Sequence, residues 1–189
     1  MVIDRAFVVL PVLPADVASL DGCLEHLVAA ADEASAGGIV TTVLVAAVPV
    51  AAASAVLNPW QPLVSLVEGV DLRLVPVAGG ADEDQALQRG AAEAAARCTA
   101  PRTTLLLATR PGVTVGTDWI SEHARHHVAG ATASTGPVRD GGATHALTAN
   151  LALRMDAYLA DGLRRSAWTL LHAVTPVVGP LRISLPTQA

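Results

Sequence analysis

The sequence has 189 residues, of which 52% are hydrophobic, so it fits one domain with a sizeable buried core and is not typical of a disordered chain. Its net charge of −5, without a cluster of basic residues, argues against a nucleic-acid partner. All 12 basic residues are arginine, and the absence of lysine excludes a Schiff-base lysine, a lysine base and a phosphate-loop lysine.

In the first half of the chain, short apolar runs alternate with helix-length amphipathic segments. This alternation predicts a parallel or mostly parallel α/β sheet. Strands are predicted at residues 6–13, 39–48 and 70–77. A helix is predicted from Pro14 to about Ala36, where Gly37 and Gly38 would stop it. Residues 49–62 are predicted to form a loop or broken helix, followed by a helical turn at 63–68.

In the second half, the clearest helix covers residues 82–98, with Asp82 as its N-cap. Its mostly alanine face would pack closely over a strand at 103–108. Another helix would be capped by Thr117 or Asp118 and run to about residue 128, before a strand at 130–135. No internal repeat or linker is present, so residues 1–189 are expected to form a single domain with helices on both faces of the sheet.

The location of the protein is predicted from two features of the sequence. No apolar stretch approaches the roughly 20 residues that a membrane-spanning helix needs. Asp4 precedes the first apolar run, and the basic region of a signal peptide is lacking. We therefore expect a soluble, cytoplasmic protein without membrane contact. Cys23 and Cys98 are isolated, which favours core thiols over a disulfide or a metal site.

Three local patterns follow one another along the chain. They are FVVLPV at 7–12 with LDGCLEHL at 20–27, then RGAA at 89–92 with a leucine-rich strand and DWI at 118–120, and finally TGPV at 135–138 with NLALRMDAY at 150–158. In this order they resemble the domains of glycosyltransferase family 2, over about residues 6–160. The resemblance implies a GT-A-like, Rossmann-like fold. It also implies a cleft at the carboxyl ends of the strands, where the family binds a nucleotide-diphosphate sugar through acidic residues.

Other residues stand at the acidic positions of that family. Leu13-Pro14 follows the first strand, Val45-Ala46-Ala47 ends the second, and Ala108-Thr109-Arg110 replaces the Asp-x-Asp that would chelate Mg²⁺ or Mn²⁺. Two arginines stand near residues 164–166, where a late acidic pair is expected. Because hard divalent cations need carboxylate or carbonyl oxygen, the usual metal site cannot be built from these positions. We expect no metal and no cofactor.

The candidate site residues follow from the same resemblance. Arg110 could neutralise phosphate where the metal would stand, although an exposed arginine at a turn is the simpler interpretation. Asp140 could orient His145 as a general base, with a plain surface loop as the alternative. Arg154 could instead form a structural ion pair. The catalytic candidates are Asp140 and His145, and the substrate-binding candidates are Arg110, Arg139, Asn150 and Arg154.

Two further side-chain patterns have structural alternatives. His123 and His127 are four residues apart on one predicted helix, a spacing that can hold a transition metal. A solvated polar helix face is the preferred interpretation. Asp118 is interpreted as a helix cap rather than a catalytic acid.

The apolar run around Trp168 would belong to the core or cover a partner, so a homodimer or a partner enzyme is a further expectation.

Two function hypotheses remain. The first is a degenerate or repurposed family 2-like protein, acting as a metal-independent transferase on a small polar or phosphorylated substrate such as a nucleotide-sugar. The second is a non-catalytic scaffold or binding protein that partners another enzyme. A chance resemblance of an ordinary α/β domain is a third possibility. Convergence of Arg139, Asp140 and His145 in space would favour chemistry over a scaffold.

Overall fold

The computed structural model describes residues 2–135, 150–161 and 177–178. A 3₁₀ helix at Pro14–Asp16 leads into the first α-helix. The helices are α1 (Val17–Ala36), α2 (Val50–Leu57), α3 (Trp60–Val64), α4 (Glu83–Arg97), α5 (Trp119–Val128) and α6 (Met155–Asp161). The strands are β1 (Arg5–Val12), β2 (Val40–Ala47), β3 (Val70–Pro76), β4 (Thr104–Ala108), β5 (Ala133–Thr135), β6 (Leu151–Arg154) and β7 (Val177–Val178).

The strands form one sheet in the order β3-β2-β1-β4-β6-β5-β7. Strands β1 to β4 are parallel to one another, whereas β6 runs antiparallel to both of its neighbours, β4 and β5. The predicted mostly parallel α/β sheet is therefore confirmed. The sequence pattern did not predict β6, because its four residues are too few to show a period of two.

Helices cover both faces of this sheet, as predicted. Successive side chains of a strand point to opposite faces, and in β1 the side chains of Val8 and Leu10 pack with α1, α2 and α5. Those of Phe7 and Val9 pack with α4 and α6. Both cores consist mainly of alanine, valine and leucine, with Trp119 as the largest fully buried side chain. The sheet is thus the middle layer of three.

The predicted cap of helix α4 is confirmed, because the side chain of Asp82 accepts a hydrogen bond from the backbone N–H of Gln85 at 2.8 Å.

Helix α4 approaches the sheet through a glycine. A Cβ atom on Gly90 would lie 2.4 Å from Cγ1 of Val9 in β1 and 3.3 Å from Cβ of Ala46 in β2. The predicted close packing is correct. Its predicted location over β4 is wrong, because the helix approaches closest over β1 and β2.

Helix α5 begins where the sequence predicted, at Trp119, with Asp118 in the N-cap position. The predicted capping role of the Asp118 side chain is wrong, because its carboxylate accepts no capping hydrogen bond. Within the described residues, no helix combines the length and the apolar character needed to cross a membrane.

Candidate functional site at the carboxyl edge of the sheet

The parallel strands β1, β2 and β4 end at one edge of the sheet, which we call the carboxyl edge. Ligands of open α/β sheets bind in the crevice outside this edge. The chain leaves it at Leu13, Val48 and Thr109. Asn150 lies at the same edge because β6 is antiparallel and Leu151 is paired with Ala108, the last residue of β4.

Two carboxylates near this edge bind backbone amides. Oδ2 of Asp16 accepts a hydrogen bond from the N–H of Leu13 at 2.9 Å, directly after β1. Asp82, in the connection that follows β3, caps α4. In the part of the chain that the structure describes, no three His, Cys, Asp or Glu side chains are grouped closely enough to hold a metal ion. The described part of the carboxyl edge therefore has no carboxylate cluster for a divalent cation.

Arg110 lies at the carboxyl edge, two residues after the end of β4. Its carbonyl oxygen accepts a hydrogen bond from the N–H of Val113 at 3.2 Å and one from Sγ of Cys23 at 3.8 Å. Gly112, within this turn, has a φ of 81°, a value that favours glycine. The side chain of Arg110 is half-buried rather than fully exposed. The turn thus ties the backbone of this arginine to α1.

Asn150 is fully buried, and its side chain forms hydrogen bonds with α5. Its Oδ1 atom accepts hydrogen bonds from Nε1 of Trp119 at 2.8 Å and from Nε2 of His123 at 3.0 Å. An indole nitrogen can only donate, so the carboxamide oxygen must face α5 and the amide nitrogen must face away from it. The two donors use both lone pairs of the oxygen.

His123 and His127 belong to the same buried network. Nδ1 of His123 lies 2.6 Å from Oγ of Ser134, and Nε2 of His127 lies 3.1 Å from that oxygen. Both histidines are 0% exposed, so the preferred interpretation of a solvated helix face is wrong. The helix packs this face against β5 and β6, where Ser134 and Asn150 form hydrogen bonds with the two histidines. We call the connected side chains the buried polar chain: Trp119, Asn150, His123, Ser134 and His127.

Burial keeps both histidines neutral. It lowers the pKa of His123 from 6.5 to about 3 and the pKa of His127 from 6.5 to about 4. A neutral imidazole has one donor and one acceptor, and one assignment satisfies every bond. Nε2–H of His123 donates to Asn150, the Ser134 hydroxyl donates to Nδ1 of His123, and Nε2–H of His127 donates to Ser134. The arrangement is that of a structural network.

Arg154 lies at the other end of β6, where it is paired with Leu105 near the start of β4. It is four residues from Asn150, a distance of about 13 Å along an extended strand. Its Nε atom forms an ion pair with Oδ1 of Asp156 at 2.5 Å, which fits the structural alternative. The structure brings Arg110 and Asn150 to one edge and does not bring Arg154 to them.

The remaining site candidates, Arg139, Asp140 and His145, lie outside the described residues, as do residues 164–166 and the run around Trp168. In the sequence, Thr109 was identified only as part of the altered metal motif. Its hydroxyl is buried at the carboxyl edge without a hydrogen-bond partner among the described residues. The sequence feature that could have identified Thr109 was its position immediately after five buried strand residues.

No family model and no curated protein matches the chain. Among solved structures, it is similar to the mannosyltransferase PcManGT from Pyrobaculum calidifontis in complex with GDP-Man and Mn²⁺, with a TM-score of 0.63 and 11% identity over 84% of this chain and 46% of that one. It is also similar to S. aureus TarS 1–349 in complex with UDP-GlcNAc, with a TM-score of 0.51 and 9% identity over 83% and 47% of the two chains. The chain spans about half the length of both. At these identities the likeness shows the fold alone: the chain has a glycosyltransferase-like fold of the GT-A type.

Proposed function

We propose that this chain is a degenerate or repurposed glycosyltransferase of family 2 descent that binds a nucleotide-sugar or another small phosphorylated substrate at the carboxyl edge without a divalent metal. The observation that supports this is the position of Arg110, two residues after the end of β4, in a fold shared with proteins that bind GDP-Man and UDP-GlcNAc. In the family that the sequence resembles, the metal-binding Asp-x-Asp would stand there. A guanidinium carries a permanent positive charge and can donate two parallel hydrogen bonds to a phosphate. Arg110 would neutralise phosphate charge, as a metal ion does in the family that the sequence resembles.

The proposed chemistry uses residues of the segment that follows β5. Asp140 would hold one ring nitrogen of His145, which leaves the other to accept the proton of an acceptor hydroxyl. The hydroxyl oxygen would then form a bond to the anomeric carbon as the bond to the diphosphate breaks. Arg110 and Arg139 would stabilise the negative charge that develops on the departing diphosphate.

The test is ligand binding with and without metal. Thermal unfolding would be followed with GDP-Man, UDP-GlcNAc, GDP and UDP, in EDTA and in Mn²⁺, since a ligand at 100 times its Kd stabilises a protein by about 2.7 kcal/mol. We expect one of these ligands to raise the melting temperature in EDTA, with no further rise in Mn²⁺. A rise that requires Mn²⁺, or no rise with any ligand, would contradict the proposal.

Arg110 is tested by substitution to Gln. Loss of a charged hydrogen-bond donor to phosphate should weaken binding at least about tenfold. The matched control is Arg102→Gln, because Arg102 is exposed and precedes β4 at the opposite end of the strand. We expect the control to bind like the wild type.

The alternative proposal is a non-catalytic scaffold that holds a second copy or a partner enzyme. Leu63 and Leu66, on and just after α3, favour it because they are 54% and 83% exposed, and exposed apolar side chains are common in interfaces. Light scattering of the wild type and of Leu66→Glu would test a homodimer. A dimer that the substitution dissociates, together with no ligand binding, would favour the scaffold. A monomer that binds a nucleotide-sugar would contradict it.

A further inference from the structure

Two polar atoms at the carboxyl edge are buried without a hydrogen-bond partner among the described residues: Oγ1 of Thr109 and Nδ2 of Asn150. Thr109 is 1% exposed and Asn150 is 0% exposed. Buried polar groups in folded proteins nearly always have a partner, because an unpaired one retains the full cost of its lost hydration. Two such atoms at one edge therefore require an explanation.

The sheet register places these two residues side by side. Ala108 of β4 is paired with Leu151 of β6, so the next pair outward is Thr109 with Asn150. Their side chains point to the face opposite those of Ala108 and Leu151, which is the face covered by α1 and α5. Directly opposed residues of antiparallel strands have Cβ atoms about 5 Å apart. The N–H of Thr109 also donates to the carbonyl oxygen of Val9 at 3.3 Å, which anchors this end of the pair to β1.

The chemistry of the pair is fixed by the buried polar chain. Oδ1 of Asn150 already accepts from Trp119 and His123, so it has no lone pair left for a metal ion. The N–H donors of its amide remain, beside the hydroxyl of Thr109. Trp119 and His123 hold the Asn150 amide in place, and two neighbouring donors suit an acceptor oxygen. Arg110, the next residue in the chain, adds a positive charge to the same edge.

We propose that Thr109 and Asn150 form a donor pair that binds a phosphate or sugar oxygen of the ligand at the carboxyl edge, with Trp119 and His123 as positioning residues. The ligand class rests on the proposed function. The role of the pair rests on two donors for which the described part of the chain offers no partner. Two neutral hydrogen-bond donors would thus contact the ligand oxygen and replace part of the contact that a metal ion would make.

Thr109→Val tests the pair because it removes the hydroxyl and keeps the shape. The unfolding temperature without ligand, and the Kd for pyrophosphate, GDP and GDP-Man in EDTA by calorimetry, would be measured. We expect the variant to melt at or above the wild-type temperature, since it loses an unpaired buried hydroxyl, and to bind about tenfold more weakly. Thr109→Ser, which keeps the hydroxyl, should restore the affinity.

The matched control is Thr104→Val at the other end of the same strand. Oγ1 of Thr104 donates to the carbonyl oxygen of Ala100 at 2.8 Å, so this variant should melt lower and bind like the wild type. If Thr109→Val weakens pyrophosphate as much as GDP-Man, the pair binds phosphate oxygen. If it weakens only GDP-Man, the pair binds sugar oxygen.

The failure of this inference can be distinguished from the failure of the proposed function. If Thr109→Val binds every probe with the wild-type Kd, the donor pair is overturned, and the partner of the two buried donors is a buried water only. The proposed function would then still stand. Binding of pyrophosphate alone, weakened by Thr109→Val, would support the pair and count against a nucleotide-sugar site. No binding of any probe to the wild type would overturn both.

Discussion

Nε2 of His123 donates a 3.0 Å hydrogen bond to Oδ1 of Asn150, which joins α5 to the start of β6. The bond forms where the sheet changes from parallel to antiparallel, next to the end of β4. It fixes the direction of the Asn150 amide and so connects a structural histidine to the candidate ligand edge. The partners that stabilise this junction therefore also determine which atoms face a ligand.

His123→Leu should destabilise the fold. The substitution leaves Oδ1 of Asn150 with one donor and the hydroxyl of Ser134 without an acceptor, both in a buried site. We expect a loss of about 2–4 kcal/mol in the free energy of unfolding, measured by urea titration at pH 7.5. His26→Leu is the control, because His26 is exposed on α1 and should change stability by less than about 0.5 kcal/mol. Equal stabilities of the two variants would contradict a stabilising role of the buried polar chain.

Stability should fall in mild acid because of His123 and His127. Their folded pKa values are lowered to about 3 and about 4, chiefly by burial, with His126 close to both and Arg154 close to His127. Above pH 6.5 both the folded and unfolded chains are neutral at these sites. As the pH falls below 6.5, only the unfolded chain binds the protons, so the free energy of unfolding decreases until the folded pKa values are reached.

Between pH 7 and pH 5 this loss should be about 2–4 kcal/mol for the two histidines together. Urea unfolding at pH 7, 6 and 5 measures it, and His127→Gln should show roughly half of the decrease. An equal decrease in the variant and the wild type would show that other groups cause it.

Gly90→Ala should destabilise the protein even though alanine is the better helix former. The new Cβ would lie 2.4 Å from Cγ1 of Val9, so α4 or β1 must shift, at a cost of about 1–3 kcal/mol. Gly22→Ala on α1 is the control, because nothing lies within 4 Å of its Cβ position. That variant should be more stable by about 0.5–1 kcal/mol. Thermal unfolding would compare the two, and a stabilising Gly90→Ala would contradict the close packing of α4.

The two cysteines should differ in reactivity. Cys23 is buried and its pKa is raised to about 12, whereas Cys98 is half-buried, and neither is in a disulfide. Since the thiolate is the reactive form, we expect a thiol reagent at pH 8 to modify Cys98 rapidly and Cys23 only on unfolding. Mass spectrometry of Cys98→Ser and Cys23→Ser would identify the residue. Rapid labelling of Cys23 in the folded protein would contradict its burial.

Parts of the fold could be predicted because they depend on short-range pattern. The eight residues of β1 are nearly all buried, and such a run indicates a strand covered on both faces. Asp82 as an N-cap predicted the start of α4, since a helix cap uses only nearby backbone groups. Alternation of these elements was enough to predict the mostly parallel sheet. The position of Arg110 at its carboxyl edge followed from the end of the predicted strand at 103–108, whereas Asn150 was a candidate only through the family resemblance, because β6 was not predicted.

Other features depend on contacts between distant parts of the chain. Polar residues at 123 and 127 have the pattern of a solvated helix face, and only the approach of Ser134 and Asn150 makes their burial favourable. The reversed direction of β6 places Arg154 at the opposite edge from Arg110, which no local spacing reveals. Thus the sequence by itself determined most of the elements and the fold class, because periodicity and capping are local. Only the tertiary structure decided which polar groups meet, because strand register and burial arise between residues far apart in the chain.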